Sequence, residues 1–228
     1  MEKDTVSTKV FEALQSTDSP TLSNAIERLN VRDLITGFAG PRVRCMFPDF
    51  ETTLGYAVTA QVDSTSPGPR AIGAGFRQLA ELVEASPKPV VLVYQDIGPR
   101  PAGAAIFGEF SAALMKRLGT IALVSDGAVR DVKEVMKLGF QYFASSIVVS
   151  HGNPRILRIG VPVVVDGLYV EPGDLIHGDI NGVLSVPVGI AHQLPEQVEQ
   201  VRRLEREAFE FMKGPDFTLD AALKRLGH

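Results

Sequence analysis

The sequence predicts a mixed α/β protein, on three observations. Val90-Val91-Leu92-Val93-Tyr94 is an unbroken, largely β-branched apolar run, the pattern of a strand buried on both faces. A helix-sized interval closed by Gly119 separates it from a second such run, Ile121-Ala122-Leu123-Val124. A strand, helix, strand unit of this kind normally joins parallel strands through a right-handed crossover. Beyond residue 140, short apolar runs alternate with the turn signals Asp166-Gly167, Glu171-Pro172-Gly173-Asp174 and Asn181-Gly182, so the second half reads as β-rich.

The elements follow in order. Residues 16–29 carry the candidate caps Ser19, Thr21 and Ser23 and place Leu22, Ala25, Ile26 and Leu29 at a helical period. Gly37, Gly40 and Pro41 mark a loop, 55–62 alternate as a strand, and 71–85 read as a helix stopped by Ser86-Pro87-Lys88-Pro89. The strand 90–94 runs through Gln95-Asp96 into the Pro- and Gly-rich approach 98–105, a good place for chemistry. A helix over 109–118, a strand over 121–124 and a helix over 129–139 come next, the last on Val132, Val135, Met136 and Leu138. Strand-like pieces occupy 142–149, 156–159, 161–165, 175–176 and 183–186, and 190–213 is helical until Gly214-Pro215 stops it. With no internal repeat or long linker, 1–228 is expected to be a single domain with helical additions at both ends, 190–228 forming the C-terminal one.

Composition narrows the function. At 228 residues and 45% hydrophobic the chain can bury a sizeable core. A net charge of −4 argues against a surface built to neutralise phosphates, and Arg202, Arg203 and Arg206 interleave with glutamates as on a solvated helix face. The lone Cys45 excludes an intramolecular disulfide framework and a thiolate zinc cluster, which fits a reducing cytoplasm. Residues 1–10 are polar, and apolar runs such as 89–94 are too short to cross a bilayer. No nucleic acid and no membrane are expected as partners.

The stretch from Gly108 to Asp131 gathers groups suited to an anionic, metal-chelating ligand such as a 2-keto acid. A helix starting after Gly108 offers the backbone N–H groups of Glu109 and Phe110 to a carboxylate, or is an ordinary loop-to-helix junction. Asp126 is either a turn former with Gly127 or a site carboxylate. Arg130 can grip a carboxylate or an enolate oxygen, and Asp131 can hold a divalent cation, the two diverging by about 100° on a helix. Glu134 supports Asp131 or forms a helix salt bridge. His151 and His177 stand in turn-like contexts outside any metal-ligand spacing and are read as structural.

Gly108-Glu109 and Val129-Arg130-Asp131-Val132-Lys133-Glu134 resemble the motif of the family that unites 4-hydroxy-4-methyl-2-oxoglutarate aldolases and regulator of ribonuclease activity A. Pro20-Thr21-Leu22-Ser23-Asn24-Ala25-Ile26 is similar to that family's first helix, with Asn24 where Asp is more usual. Gly160-Val161-Pro162-Val163 and the segment 170–183 are similar to its late β region, so the resemblance spans roughly 17–187. It implies a β/β/α layered domain of the swivelling type, assembled as a homotrimer or homohexamer with sites between subunits. It also implies a metal-dependent pyruvate aldolase and oxaloacetate decarboxylase using Mg²⁺ or Mn²⁺. Glu109 and Phe110 would bind the pyruvyl carboxylate where Gly108 lets it approach, and Arg130 would contact the keto or enolate oxygen. Asp131 would anchor the metal, and Asp126 would orient metal-bound water or line the pocket. A neighbouring subunit would add an acidic residue, from Glu199, Glu205 or Glu207. Ser150-His151-Gly152 departs from the family's Ala-Arg-Gly, which points to a different substrate preference. The family's other branch implies the alternative, a non-catalytic protein that binds an RNA-degrading endonuclease.

Overall fold

The computed structural model describes residues 5–68 and 73–226. Two helices open it, α1 (Thr8–Gln15) and α2 (Ser19–Glu27), where one helix is predicted over 16–29. The division has a local cause. Asp18 accepts the Thr21 N–H at 2.9 Å, and Pro20, which lacks an N–H, sits in the first turn of α2.

Strands β1 (Arg44–Cys45), β2 (Thr53–Asp63), β3 (Val90–Asp96), β4 (Ala105–Phe107), β5 (Thr120–Val129), β6 (Gln141–Ile147) and β7 (Arg155–Ile159) belong to one sheet. It is completed by β10 (Leu175–Asp179) and β11 (Gly182–Val186), in the order β1-β6-β5-β3-β2-β10-β11, with β4 beside β5 and β7 beside β2. The strands β2, β3, β5 and β6 are mutually parallel. β3, helix α4 (Glu109–Arg117) and β5 thus form the expected crossover unit, and Gly119 closes the helix at φ +96°. Helix α3 (Gly73–Ala85) covers the predicted 71–85 from residue 73; positions 71 and 72 lie outside the described residues.

β3 is buried on both faces, as its composition demands. Val90, Leu92 and Tyr94 pack with Leu79 and Val83 of α3 and Ala112 and Met115 of α4. Val91 and Val93 face a second core that includes Phe143 of β6 and Ile176 of β10. Three strands lie between those two in the sheet, yet a Cβ on Gly178 would lie 2.7 Å from the Phe143 ring. The sheet therefore curls until it nearly closes around this inner core. A separate hairpin, β8 (Val163–Val165) and β9 (Leu168–Val170), adds Val163, Val165, Leu168 and Val170 to it. The hairpin was predicted only in its first half; Asp166 and Gly167 take φ +46° and +88°, the conformation of a two-residue turn between short strands.

A third core joins the terminal helices to the sheet. Leu14 of α1, Leu22 and Ile26 of α2, and Leu194, Val198 and Val201 of α6 (Leu194–Lys213) pack on Leu54, Leu175 and Val186. The helix predicted from residue 190 starts later, after a 3-10 turn over Val188–Gln193, because Pro195 belongs in a first turn. Beyond Gly214, α7 (Leu219–Leu226) folds back so that Arg225 lies 4.3 Å over the Phe211 ring. Among the described residues no helix is long and apolar enough to cross a membrane.

Candidate active site

The site is built at the far end of β5. The strand does not stop at Val124 as predicted but continues to Val129, its register against β6 slipping between Ser125 and Ala128. Asp126-Gly127 is therefore a bulge inside a strand rather than a turn after it. The glycine packs closely: a Cβ there would stand 2.9 Å from Ile106 Cδ1 of β4, so a larger residue would have to displace that side chain. Arg130 and Asp131 follow the strand directly, ahead of helix α5 (Val132–Lys137) rather than within it. Asp131 takes the left-handed φ 57°, ψ 41°, which a short polar side chain tolerates. That kink, not helical periodicity, sets the angle between the two side chains.

β4 pairs with β5 so that Phe107 lies opposite Val129, which brings Gly108 beside Arg130 and Asp131. A Cβ on Gly108 would lie 2.5 Å from Asp131 Oδ2 and 3.1 Å from the Arg130 side chain, so any larger residue would push the Asp131 carboxylate from its place. The Glu109 N–H, first in α4, donates to Asp131 Oδ2 at 3.0 Å, and Arg130 Nε lies 3.4 Å from the same oxygen. The helix terminus is thus already an anion site, holding a carboxylate of the chain itself. No side chain among the described residues accepts from the Phe110 N–H. A cleft of ≈ 170 Å³ opens here, lined by Gly108, Phe110, Ser111, Arg130, Asp131 and His151 above an apolar floor that includes Ile106 and Phe107. Wider hollows of ≈ 520 and ≈ 470 Å³ near Glu51 have no cationic lining residue among the described residues, so size does not identify the site.

The donors fit a hard divalent cation that keeps most of its water. Asp131 Oδ2 is engaged, whereas Oδ1 accepts no hydrogen bond among the described residues. A single protein carboxylate suits Mg²⁺, which is commonly held by one or two carboxylates plus water and substrate oxygens. Among the described residues no group of three or more His, Cys, Asp or Glu forms a preassembled cage.

Asp126 is not among the residues lining the cleft. Its Oδ1 accepts the Asp96 N–H at 2.7 Å. Burial, with the nearby Asp96 carboxylate adding to it, pushes the Asp126 carboxyl up to about 6. A carboxyl whose folded value lies above its unfolded one stabilises the fold at low pH and loses that contribution as pH rises from about 4 to about 6. Asp126→Asn retains an acceptor for Asp96. Its stability relative to wild type, from urea unfolding, should therefore improve by about 2 kcal/mol between pH 4 and pH 7. A pH-independent difference would contradict this.

Asp96 shapes the approach to the cleft. Its buried carboxylate accepts from Ser64 Oγ at 2.6 Å and from the N–H groups of Ser64, Gly98 and Ala102 at 3.3, 3.1 and 3.2 Å. One side chain thus ties the Pro-rich loop to the ends of β2 and β3. Asp96→Ala leaves those donors unmatched and should cost about 2–4 kcal/mol in urea unfolding; a loss below about 1 kcal/mol would show that water replaces the carboxylate.

From their turn-like sequence contexts, His151 and His177 are both expected to be structural. His177 is buried between Ser19 Oγ at 3.0 Å and the Thr17 carbonyl at 2.9 Å, and burial lowers its affinity for a proton. His151, by contrast, lines the cleft. Nothing local in the sequence signals this, because the contact is made across strands. Glu134 is exposed in the first turn of α5 and forms no ion pair among the described residues. Glu199 and Glu207 pair with Arg202 and Arg203 along α6, and neither they nor Glu205 lines the cleft of their own chain.

The pattern of one family, RraA-like (Aldolase/RraA), matches residues 19–185. Over 140 residues the chain is 32% identical to a protein of Halalkalibacterium halodurans named "Putative 4-hydroxy-4-methyl-2-oxoglutarate aldolase", covering 61% of each. Over 127 residues it is 32% identical to an uncharacterized protein of Methanocaldococcus jannaschii, covering 55% of this chain and 61% of that one. The chain therefore spans 61% of the length of either curated relative. Among solved structures, an uncharacterized Pseudomonas syringae protein superposes with a TM-score of 0.75 at 22% identity, covering 98% of this chain and 97% of that one. Streptomyces coelicolor RraAS2, described as an unusual member of the RNase ES inhibitor RraA protein family, superposes at 0.72 and 22% identity, covering 90% and 98%. At these identities the likeness is one of fold: the mixed α/β architecture with its nearly closed sheet and terminal helices.

Proposed function

The chain belongs to the RraA-like family, and on that premise we propose that it is a divalent-metal-dependent lyase acting on a pyruvyl-containing 2-keto acid. It cleaves the bond between the carbons α and β to the keto group of a substrate such as 4-hydroxy-4-methyl-2-oxoglutarate or oxaloacetate and leaves pyruvate enolate. The observation that carries this reading is the convergence of a helix N-terminus, a guanidinium and a carboxylate on one cleft.

Each group has a role set by its chemistry. The first turn of α4 binds the substrate carboxylate through the Phe110 N–H where Gly108 leaves room for it, while the Glu109 N–H holds Asp131 beside it. Arg130 faces the keto oxygen and stabilises the negative charge that develops there. Asp131 would hold Mg²⁺ or Mn²⁺, which when bound supplies further positive charge to the same oxygen. The apolar floor of Ile106 and Phe107 limits water beside the reacting carbons. Asp126 supports this machinery from within β5, through Asp96, rather than at the reacting atoms. We assign the working unit as an assembly of three copies, or a pair of such assemblies, with an acidic residue of α6 reaching a neighbour's cleft.

The competing role is a protein that binds an RNA-degrading endonuclease without catalysis. The convergence of Asp131 and Arg130 at a substrate-sized cleft favours the enzyme, since such binding requires neither. The test is pyruvate release from oxaloacetate and from 4-hydroxy-4-methyl-2-oxoglutarate with and without Mg²⁺. Turnover no faster than free metal for both substrates would remove the lyase reading.

A further inference from the structure

Building on the lyase reading above, we infer that Ile106 limits the group carried on the substrate's fourth carbon by closing the cleft off from a buried pocket that ends at the Tyr94 hydroxyl. The pocket is a hollow of ≈ 10 Å³, room for about one water, walled by Val62, Phe76, Tyr94 and Ile156. Ile106 and Pro154 line both this hollow and the cleft, so they form the partition between the two.

Tyr94 distinguishes the hollow from an ordinary packing gap. It is only 2% exposed, and among the described residues its hydroxyl has no hydrogen-bond partner. A buried phenol normally finds one, because an unmatched hydroxyl has given up its bonds to water for nothing. Burial also pushes the Tyr94 phenol up, so the hydroxyl keeps its proton and can act as a donor. The ring stands edge-on to Phe107 of the cleft floor, with centroids 5.9 Å apart. An unmatched donor thus lies directly behind the floor of the substrate site.

The position of Ile106 decides which part of the substrate it meets. With the carboxylate at the first turn of α4 and the keto oxygen at Arg130, the floor of Ile106 and Phe107 is left to the apolar group on the fourth carbon. Of these two residues, Phe107 is backed by the Phe140 and Tyr142 rings at 5.7 and 6.2 Å, whereas Ile106 has the hollow behind it. Ile106 is also held in place. It is 7% exposed, and its Cδ1 rests against Gly127, where a Cβ would come within 2.9 Å. A methyl group fits over this floor, while a longer one meets the isoleucine side chain that bars the way to Tyr94.

The test is kcat/KM of the full chain with Mg²⁺ for 4-hydroxy-2-oxoglutarates carrying methyl, propyl or methoxymethyl on the fourth carbon, read as pyruvate release. Wild type should favour methyl over propyl by about 100-fold, and Ile106→Ala should raise the propyl-to-methyl ratio by about 10- to 200-fold. Ile106→Val should move the ratio the same way by a smaller factor, which keeps the test open if the alanine protein does not fold. Methoxymethyl has the shape of propyl with an ether oxygen, an acceptor for Tyr94. Adding Tyr94→Phe to Ile106→Ala should therefore lower kcat/KM for the methoxymethyl substrate by about 3- to 10-fold and leave propyl nearly unchanged. A wild type indifferent to the substituent, an unchanged ratio in both Ile106 variants, or equal Tyr94→Phe effects on propyl and methoxymethyl would overturn the inference while leaving the lyase reading intact. A wild type that releases no pyruvate from the methyl substrate or from oxaloacetate would overturn the lyase reading and this inference with it.

Discussion

Replacing Arg130 with alanine is expected to lower kcat for pyruvate release by at least about 100- to 1000-fold, the usual consequence of removing a charge aimed at a developing oxyanion. The fold should survive. The Arg130 side chain is half-buried, and its pairing with Asp131 at 3.4 Å is a partly exposed contact. Such pairs contribute about 0–1 kcal/mol. The backbone tie from the Arg130 N–H to the Phe107 carbonyl at 3.1 Å does not involve the side chain. Arg130→Lys should recover only part of the rate, because an ammonium cannot present the planar fork of a guanidinium. The checks are steady-state kinetics beside thermal unfolding. A folded Arg130→Ala protein with near wild-type kcat would remove Arg130 from the chemistry.

Asp131→Asn should be nearly as damaging to turnover, and for a separable reason. Asn tolerates the left-handed conformation at φ 57°, and its amide oxygen still accepts the Glu109 N–H. Stability should fall by about 1 kcal/mol or less, the contribution of one negative charge at a helix N-terminus. The hard anionic donor for a divalent cation is gone, so Mg²⁺-stimulated turnover should drop about 100-fold or more. Calorimetric titration with Mg²⁺ should lose its signal. Asp131→Ala should lose the same activity and in addition about 1–2 kcal/mol of stability, since alanine strains at positive φ. Full metal-dependent turnover in Asp131→Asn would refute the ligand role.

Where the sequence and the structure agree, the signal was local. The run at 90–94 could only be a strand with apolar neighbours on both sides, and Gly119 could only close a helix by taking positive φ. Disagreements lie where a residue answers to something distant. Asp126-Gly127 reads as a turn from its own chemistry, yet pairing with β4 and β6 on either side keeps the chain extended through a bulge. Residues 129–139 have a helical period, but β5 claims Val129, and Asp131 turns back to cap a helix that starts 22 residues earlier.

The amino-acid sequence by itself determined the class of fold and the crossover unit, and it pointed to the residues between Gly108 and Asp131 that are proposed to serve a carboxylate and a cation. It did so because period, capping and charge are properties of near neighbours. Only the tertiary structure decided that Asp131 occupies the anion turn of α4, that Asp126 answers to Asp96 within the strand, and that His151 shares the cleft. Those placements depend on the register of β4 and β6 against β5, which is fixed by packing across the whole sheet and written in no single stretch of chain.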